Sequence, residues 1–361
     1  MDPQQILQFP HTAAPAAGTS LEVAPGLRWL RMPLPFALDH INLWLLEDGD
    51  GWTIVDCGIA SKTTKSLWEQ IFAAAPAASA PGARTREFLA TRVLVTHAHP
   101  DHVGLAHWLC QRFGADLWMS HADYLTAHAV RESVAGHALE NLLGMFRRNG
   151  LGGGELEKLS LRGNHYRQAV PEFPQSFRRI MDGEEIRIGG HGWRVIMGYG
   201  HSPEHAALYS SGLGVLISGD MVLPKISTNI SVWAVNPDGD PLKLFLESLQ
   251  RYAGLPRDTL VLPSHGLPFR GLHERIEQLE EHHRLRCDDL LRACAQPLSA
   301  FEAIPTLFAR ELDTQQLFFA MGEAMAHLHC LYYRGTLKRH SGADGVIRYV
   351  RNEAMRGGGR A

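Results

Sequence analysis

Four side chains that bind metal ions well lie within six residues of this 361-residue chain, directly after a short apolar run. The run is Val93-Leu94-Val95, and Thr96-His97-Ala98-His99-Pro100-Asp101-His102 follows it. A strand that ends in a polar loop is the simplest structure for this pattern. Three further side chains of the same kind each follow a separate β-type run: His201, Asp220 and His265. We therefore expect a fold in which several strand ends meet.

Neutral imidazoles with a carboxylate are suited to Zn²⁺ or Fe²⁺ and poorly suited to Ca²⁺, which prefers oxygen ligands. In an extended loop, alternation would put His97, His99 and Asp101 on one side. One such loop cannot complete the coordination of two ions, so the later residues would have to contribute. A lone His-x-His pair is often just two surface histidines. The density of the motif and the three later residues favour a metal site instead.

The order of apolar runs predicts the architecture. Short β-type runs alternate with helical patterns and turn signals in both halves of the chain, which fits a four-layer α/β/β/α sandwich. We predict a loose N-terminal arm over residues 1–24 and a catalytic domain over 25–272, with a helical insertion at about 121–165. Residues 273–361 are predicted to form a C-terminal helical, winged-helix-like domain, with helices at 299–307 and 314–333 and a closing strand pair at 336–339 and 346–350.

Composition restricts the class of protein. With 45% hydrophobic and 20% charged residues, the chain can bury a core, and a net charge of −3 gives no overall positive field for nucleic acid. The five cysteines form no CxxC pair and are odd in number, which favours buried free thiols over a disulfide framework. We find no long apolar window and no signal-peptide pattern at the start, so the expected location is cytoplasmic, without a membrane span.

Over roughly residues 25–270 the sequence resembles the metallo-β-lactamase superfamily, whose signature is Thr-His-x-His-x-Asp-His after a core strand. The stretch Gly200-His201-Ser202-Pro203-Glu204-His205 is similar to the glyoxalase II-like branch. The resemblance implies two metal ions, the first held by His97, His99 and His201, the second by Asp101, His102 and His265, with Asp220 bridging both. It also implies that Asp56 supports the metal loop from behind. His205 is either such a support, a substrate contact or a buried structural histidine.

A water or hydroxide between two metal ions has a lowered pKa and can attack a carbonyl or phosphorus centre. Asp101 could orient or deprotonate it, and Asp220 would hold both ions. The sequence has no Gly-x-Ser-x-Gly nucleophile motif. We therefore expect a binuclear metallo-hydrolase of a small thioester or related ester, with zinc as the expected metal and iron or manganese as substitutes.

Other functions stay open from the sequence. Ala326-His327-Leu328 and Tyr333-Arg334-Gly335-Thr336-Leu337 resemble the C-terminal tail of the branch that includes an endoribonuclease, so an RNA-processing enzyme is one alternative. A lactonase or β-lactamase-type hydrolase and a non-catalytic metal sensor are two more. A di-iron oxygen or nitric oxide reductase fits less well, because such relatives carry Glu where this chain has His99. The C-terminal domain could bind nucleic acid, form a homodimer contact or cover the pocket.

Overall fold

The computed structural model describes residues 7–74 and 87–354. The strands are β1 Leu21–Ala24, β2 Leu27–Pro33, β3 His40–Asp48, β4 Gly51–Val55, β5 Ala90–Leu94, β6 Asp116–Met119, β7 Arg178–Arg179, β8 Glu185–Ile188, β9 His191–Gly198, β10 His205–Ser210, β11 Val215–Gly219, β12 Leu260–Pro263, β13 Leu337–Ser341 and β14 Ile347–Arg351. The α-helices are α1 Lys62–Ala74, α2 Pro100–Val103, α3 Ala106–Phe113, α4 His121–Glu132, α5 Leu139–Arg148, α6 Gly153–Ser160, α7 His165–Ala169, α8 Pro241–Leu249, α9 Leu272–Ala293, α10 Ala300–Leu307 and α11 Thr314–Tyr333.

The first twelve strands form two mixed sheets. One sheet has the order β1-β2-β3-β4-β5-β6-β7 and the other has the order β12-β11-β10-β9-β8. Strands β4 to β7 are parallel to one another, and so are β11 and β12. In the register of the first parallel pair, Val55 lies opposite Leu94. The residues that follow these two strands therefore emerge side by side at one edge of the sheet.

The two faces of the seven-stranded sheet contribute to different cores. Successive side chains of a strand point to opposite faces, and in β3 this places Leu43 and Leu45 in a core with α1 and α3, while Trp44 and Leu46 join a core with the five-stranded sheet. Trp193 of β9 belongs to that second core. The predicted packing of two sheets with helices on an outer face is thus present in the structure.

Contacts between residues divide the chain into two compact units. Unit 1 comprises residues 1–132, 165–228 and 248–276, and unit 2 comprises residues 133–164, 229–247 and 277–361. Both large sheets lie in unit 1, and the β13–β14 hairpin lies in unit 2. Much of the predicted insertion, residues 133–164, therefore groups with the C-terminal segment. The winged-helix likeness and the domain boundaries themselves stay predictions.

Two helices of unit 2 begin at capping boxes, in which the first side chain and the fourth residue satisfy each other's backbone N–H groups. Ser299 pairs with Glu302 at the start of α10, and Asp313 pairs with Gln316 at the start of α11. Each cap fixes where its helix begins. The helices that we predict at 299–307 and 314–333 are present as α10 and α11 with nearly these bounds.

Some segments differ from the prediction. The described part of the N-terminal arm is anchored, because Gln8 forms an antiparallel bridge with Arg270, Leu7 is buried and β1 pairs with β2. Helix α8 follows a Pro/Gly-rich stretch that gave no helical signal of its own.

All five cysteines are buried free thiols, as predicted. Among residues 7–74 and 87–354, no helix is long and apolar enough to cross a membrane.

Leu208 gives a test of the packing between the sheets, since it is fully buried in the middle of β10. We expect Leu208→Ala to lower the free energy of unfolding by about 2–5 kcal/mol, because the transfer and cavity costs add. Chemical denaturation followed by tryptophan fluorescence measures the change. Leu125, which is 53% exposed on α4, is the matched control, and Leu125→Ala should cost under about 0.5 kcal/mol. Equal losses in the two variants would contradict the assigned core.

Candidate metal centre

The loop that follows β5 is held by the carboxylate of Asp56, which follows β4. Asp56 Oδ1 accepts a hydrogen bond from Thr96 N at 2.8 Å, and Oδ2 accepts from Thr96 Oγ1 at 2.9 Å and from His102 Nδ1 at 2.8 Å. Asp56 itself has a positive φ of 60°, which is uncommon for a residue other than glycine. Since the Nδ1 side of the His102 ring is engaged by Asp56, Nε2 is the ring nitrogen that faces the centre.

The structure brings all seven sequence-predicted ligands into two adjoining groups. In each group the candidate ligand atoms lie within 4.8 Å of one another. One group consists of His97, His99, His201 and Asp220, and the other consists of Asp101, His102 and His265. The two oxygens of Asp220 divide between them: Oδ2 lies 3.3 Å from His201 Nε2, and Oδ1 lies 3.5 Å from His102 Nε2 and 3.4 Å from His265 Nε2.

The path of the loop differs from the extended one expected from the sequence. His99 is still extended, but helix α2 begins at Pro100, so Asp101 and His102 lie in its first turn. Proline suits the first helical position because its fixed φ is already helical. The turn directs Asp101 away from His97 and His99 and toward His265, whose Nε2 lies 3.6 Å from Asp101 Oδ2.

Several atoms of the cluster lack the partners that buried polar groups normally have. His102 Nε2 and Asp220 Oδ1 are buried and form no hydrogen bond with any described residue. The Nε2 atoms of His97 and His201 lie 3.2 Å apart, and His97 Nε2 lies 2.9 Å from His99 Nδ1. Converging ring nitrogens and an unpaired carboxylate oxygen are costly to bury unless a cation lies among them. The donor set therefore fits metal ions.

The electrostatics of the two groups differ. Burial and the neighbouring imidazoles hold the pKa of His97 and of His99 well below the ordinary value, so both are neutral. Burial also opposes a charge on His102, but Asp56, Asp220 and Asp101 together raise its pKa well above the ordinary value. Around Asp220, His265 and His102 outweigh burial and lower the carboxyl pKa. A metal ion would replace the protons that these carboxylates otherwise attract.

Asp220 is positioned through its backbone. His205 Nε2 accepts a hydrogen bond from Asp220 N at 3.0 Å, and burial lowers the pKa of His205 to about 3, which keeps that nitrogen an acceptor. The preceding Gly219 has a φ of 54°, and a Cβ atom there would lie 2.3 Å from the His205 ring. Of the roles that the sequence leaves open for His205, this contact supports the first, a support behind a ligand.

His265 is oriented by the segment that starts β3. Its Nδ1 donates to the backbone oxygen of His40 at 2.7 Å, which leaves Nε2 free to face Asp101 and Asp220. The His40 ring in turn accepts from Gly266 N at 2.8 Å. Asn42 Nδ2 donates to Pro263 O at 2.8 Å, so the turn after β12 is fixed on both sides of His265. A ligand whose second ring nitrogen is engaged in this way has a defined tautomer and orientation.

Asp123 is a buried carboxylate that sequence reasoning missed. Its Oδ1 accepts from Ala98 N at 2.8 Å and its Oδ2 accepts from Glu204 N at 2.7 Å, so it joins the His97–His102 loop to the loop that carries His201. Burial raises its carboxyl pKa to about 6. The one available signal was an aspartate three residues after Ser120 at a helix start, which is common in proteins without any such role.

We expect Asp123→Asn to weaken metal binding by about 10- to 100-fold, which is typical of losing a group that orients ligands. An amide presents one acceptor oxygen where Asp123 uses two, so one of the two loops loses its anchor. Competition with a chromogenic chelator measures the metal Kd. The control is Asp116→Asn, an exposed acid at the start of β6, which should leave Kd unchanged. Equal Kd values for both variants would show that Asp123 does not order the centre.

Comparison with known proteins identifies the family. Residues 37–265 match the Metallo-beta-lactamase superfamily, and residues 287–352 match the family described as Metallo-beta-lactamase-like, C-terminal domain. Among curated proteins, the chain is 27% identical over 314 residues to the Bacillus subtilis protein named Probable metallo-hydrolase YqjP, covering 84% of this chain and 91% of that protein.

Two solved structures are similar along nearly the whole chain. A beta-lactamase domain protein from Burkholderia ambifaria is 49% identical with a TM-score of 0.89, covering 98% of this chain and all of that one. A metallo-beta-lactamase family protein from Thermus thermophilus is 30% identical with a TM-score of 0.74, covering 92% of this chain and 100% of that one. The predicted fold is thereby confirmed, and the chain belongs to the metallo-beta-lactamase superfamily of metal-dependent hydrolases.

Proposed function

We propose that this hydrolase holds two divalent metal ions and uses them to cleave a small thioester or a related ester. The observation that carries the proposal is the pair of adjoining ligand groups, which together contain five imidazoles and two carboxylates. In this proposal His97, His99 and His201 hold one ion and Asp101, His102 and His265 hold the other. Asp220, whose two oxygens face both groups, bridges them. Such nitrogen and oxygen donors suit zinc and also accept iron or manganese.

Metal ions bound there would lower the pKa of a water and polarise the carbonyl of the substrate. The chain's own residues supply the rest. The Asp101 side chain is 19% exposed, against 10% for Asp220, so Asp101 is the carboxylate of the set that solvent reaches more readily. Its Oδ2, 3.7 Å from His102 Nε2, is placed to orient a water and accept its proton. Asp56 and His205 keep their neighbouring ligands in position.

The thioester preference rests on two likenesses. The chain is 22% identical over 298 residues to a hydroxyacylglutathione hydrolase of Rhodobacter capsulatus, covering 81% of this chain and 88% of that protein. An acyl-glutathione is a thioester. The second likeness is the Gly200–His205 stretch, which resembles the glyoxalase II-like branch. A thioester carbonyl needs no serine nucleophile when an activated water is available, which agrees with the absence of a nucleophile motif.

The RNA-processing alternative depends on the basic residues of the C-terminal segment, and two of the arginines there are already in ion pairs. Arg339 forms an ion pair with Asp238 at 2.8 Å, and Arg348 forms one with Asp344 at 2.7 Å. Arg351 donates through Nε to the backbone oxygen of Leu291. Paired guanidinium groups contribute little to a phosphate-binding surface. We therefore favour a small acyl substrate, and keep lactones, β-lactams and phosphodiesters as outcomes of the experiments.

Removing one ligand tests the two-metal arrangement. We expect about two metal ions per wild-type chain and about one in His265→Ala, because the second group keeps only two of its own ligands. Elemental analysis after equilibrium dialysis measures the content. His191→Ala, which removes a half-buried histidine of β9 outside the cluster, should retain the wild-type content. A wild-type chain that holds a single ion, or a His265→Ala chain that still holds two, would contradict the arrangement.

Asp101 tests the chemistry. With acyl-glutathione and acyl-coenzyme A thioesters as substrates, we expect Asp101→Asn to reduce kcat by about 10²- to 10⁴-fold, because the amide cannot accept the proton. Release of the free thiol measures turnover. Asp50→Asn, which alters an exposed acid of the β3–β4 turn, is the matched control and should keep wild-type kcat.

A panel of other substrates distinguishes the alternatives. Metal-loaded protein that cleaves lactones, β-lactams or a phosphodiester but no thioester would overturn the substrate class and keep the hydrolase. Protein that binds metal and cleaves none of these would favour a non-catalytic sensor.

A further inference from the structure

A second candidate site lies in unit 2. A cavity of about 390 Å³ is lined there by side chains from the α5 end, the segment before α8, helix α11 and the β13–β14 hairpin. None of the seven predicted metal ligands contributes to its wall. Its volume falls within the range of pockets that hold small organic ligands. Neither the metal chemistry nor the hydrolase proposal gives this cavity a role.

Two arginines and one aspartate line the cavity, so its charged side chains carry an excess of one positive charge. Arg339 is fixed, because its Nη1 bonds Asp238 Oδ1 at 2.8 Å and its guanidinium lies 4.8 Å from the centre of the Tyr332 ring. Asp238, which also lines the cavity, balances the charge of Arg339. Arg148, at the end of α5, has no ion pair with any residue in the described ranges. Its guanidinium is therefore available to an anion, and guanidinium groups bind phosphate with two parallel hydrogen bonds.

The wall also offers hydrogen-bond acceptors. Asn149 is 3% exposed, its Nδ2 donates to Met145 O at 3.0 Å, and its Oδ1 has no partner among the described residues. His329 donates through Nδ1 to Gly239 O at 2.8 Å, and burial lowers its pKa, so its other ring nitrogen is an acceptor. A ligand with hydroxyl or amino groups would satisfy both.

Apolar groups complete the lining. Met145, Pro237 and Ile347 add hydrocarbon surface beside the polar groups. An inorganic phosphate ion would use the guanidinium of Arg148 but would leave this surface and the two acceptors unmatched. A ligand that matches the guanidinium, the two acceptors and the apolar surface would have one negatively charged group joined to an organic part that carries hydrogen-bond donors.

We propose that this cavity binds a sugar phosphate, free or as the sugar-phosphate part of a mononucleotide. The phosphate lies against Arg148 with Arg339 beside it, and the sugar hydroxyls donate to Asn149 and His329. The apolar wall packs against the carbon skeleton or the base.

Isothermal titration calorimetry with ribose 5-phosphate and adenosine 5′-monophosphate tests the proposal. Ribose and adenosine are the controls without phosphate, and inorganic phosphate is the control without an organic part. We expect at least one of the two organic phosphates to bind, and to bind more tightly than its unphosphorylated counterpart and than inorganic phosphate. Arg148→Gln should weaken binding by at least about tenfold, the typical loss for a charged hydrogen bond. Arg147→Gln is the matched control, since Arg147 is the exposed neighbour on α5 that does not line the cavity.

Phosphates also bind metal ions, so each titration is repeated after chelation of the metal. Binding that survives chelation and is lost in Arg148→Gln supports the cavity. Binding that is lost on chelation and unchanged in Arg148→Gln assigns the phosphate to the metal centre and overturns the proposal. The proposal is also overturned when neither organic phosphate binds, or when Arg147→Gln and Arg148→Gln have equal effects.

Discussion

The hydrogen bonds that Asp56 accepts from Thr96 and His102 are the interactions on which the candidate centre depends. They join the ends of two parallel strands, β4 and β5, whose register places Val55 opposite Leu94. The carboxylate accepts from the backbone where the loop begins and from the Nδ1 atom of a ligand where it ends. One side chain thereby fixes both the path of the loop and the orientation of the His102 ring. The positive φ of Asp56 is a local strain that the surrounding hydrogen bonds offset.

Much of the centre could be predicted from the sequence because its ligands come in two recognisable forms. His97, His99, Asp101 and His102 are dense enough along the chain to stand out by themselves, and His201, Asp220 and His265 each follow a β-type run. The resemblance to the superfamily then divides them into two groups, and the geometry agrees with that division. We expected an extended loop that would place Asp101 beside His97 and His99. The backbone instead becomes helical at Pro100, and this turn directs Asp101 to the other group of ligands.

The supports behind the ligands were harder to predict, because their roles depend on tertiary contacts. Asp123 lies on a helix after the loop, and it meets Ala98 and Glu204 only once the strands have paired. His40 gave no motif, yet its backbone oxygen orients His265. In unit 2 the predicted bounds of α10 and α11 are close to those observed, and the capping boxes at Ser299 and Asp313 account for where the helices begin. The grouping of residues 133–164 with the C-terminal segment could not be read from local pattern, since it concerns contacts distant along the chain.

The candidate metal centre and the proposed substrate class rest on different observations. Seven side chains of unit 1 account for the proposed metal chemistry, which many superfamily members share across different substrates. The proposed acyl substrate rests on the two likenesses to thioester hydrolases, and the ion pairs of Arg339 and Arg348 in the C-terminal segment weigh against RNA. The cavity beside Arg148 has no part in the proposed metal chemistry or in the choice of substrate class. We propose a separate ligand for it in unit 2.

Anomalous diffraction from crystals of zinc-loaded protein, collected on both sides of the zinc absorption edge, shows how many ions bind among the seven candidate ligands. We expect two peaks, one among His97, His99 and His201 and the other among Asp101, His102 and His265, with Asp220 between them. A single peak, or zinc bound elsewhere while these seven side chains stay without metal, would contradict this expectation.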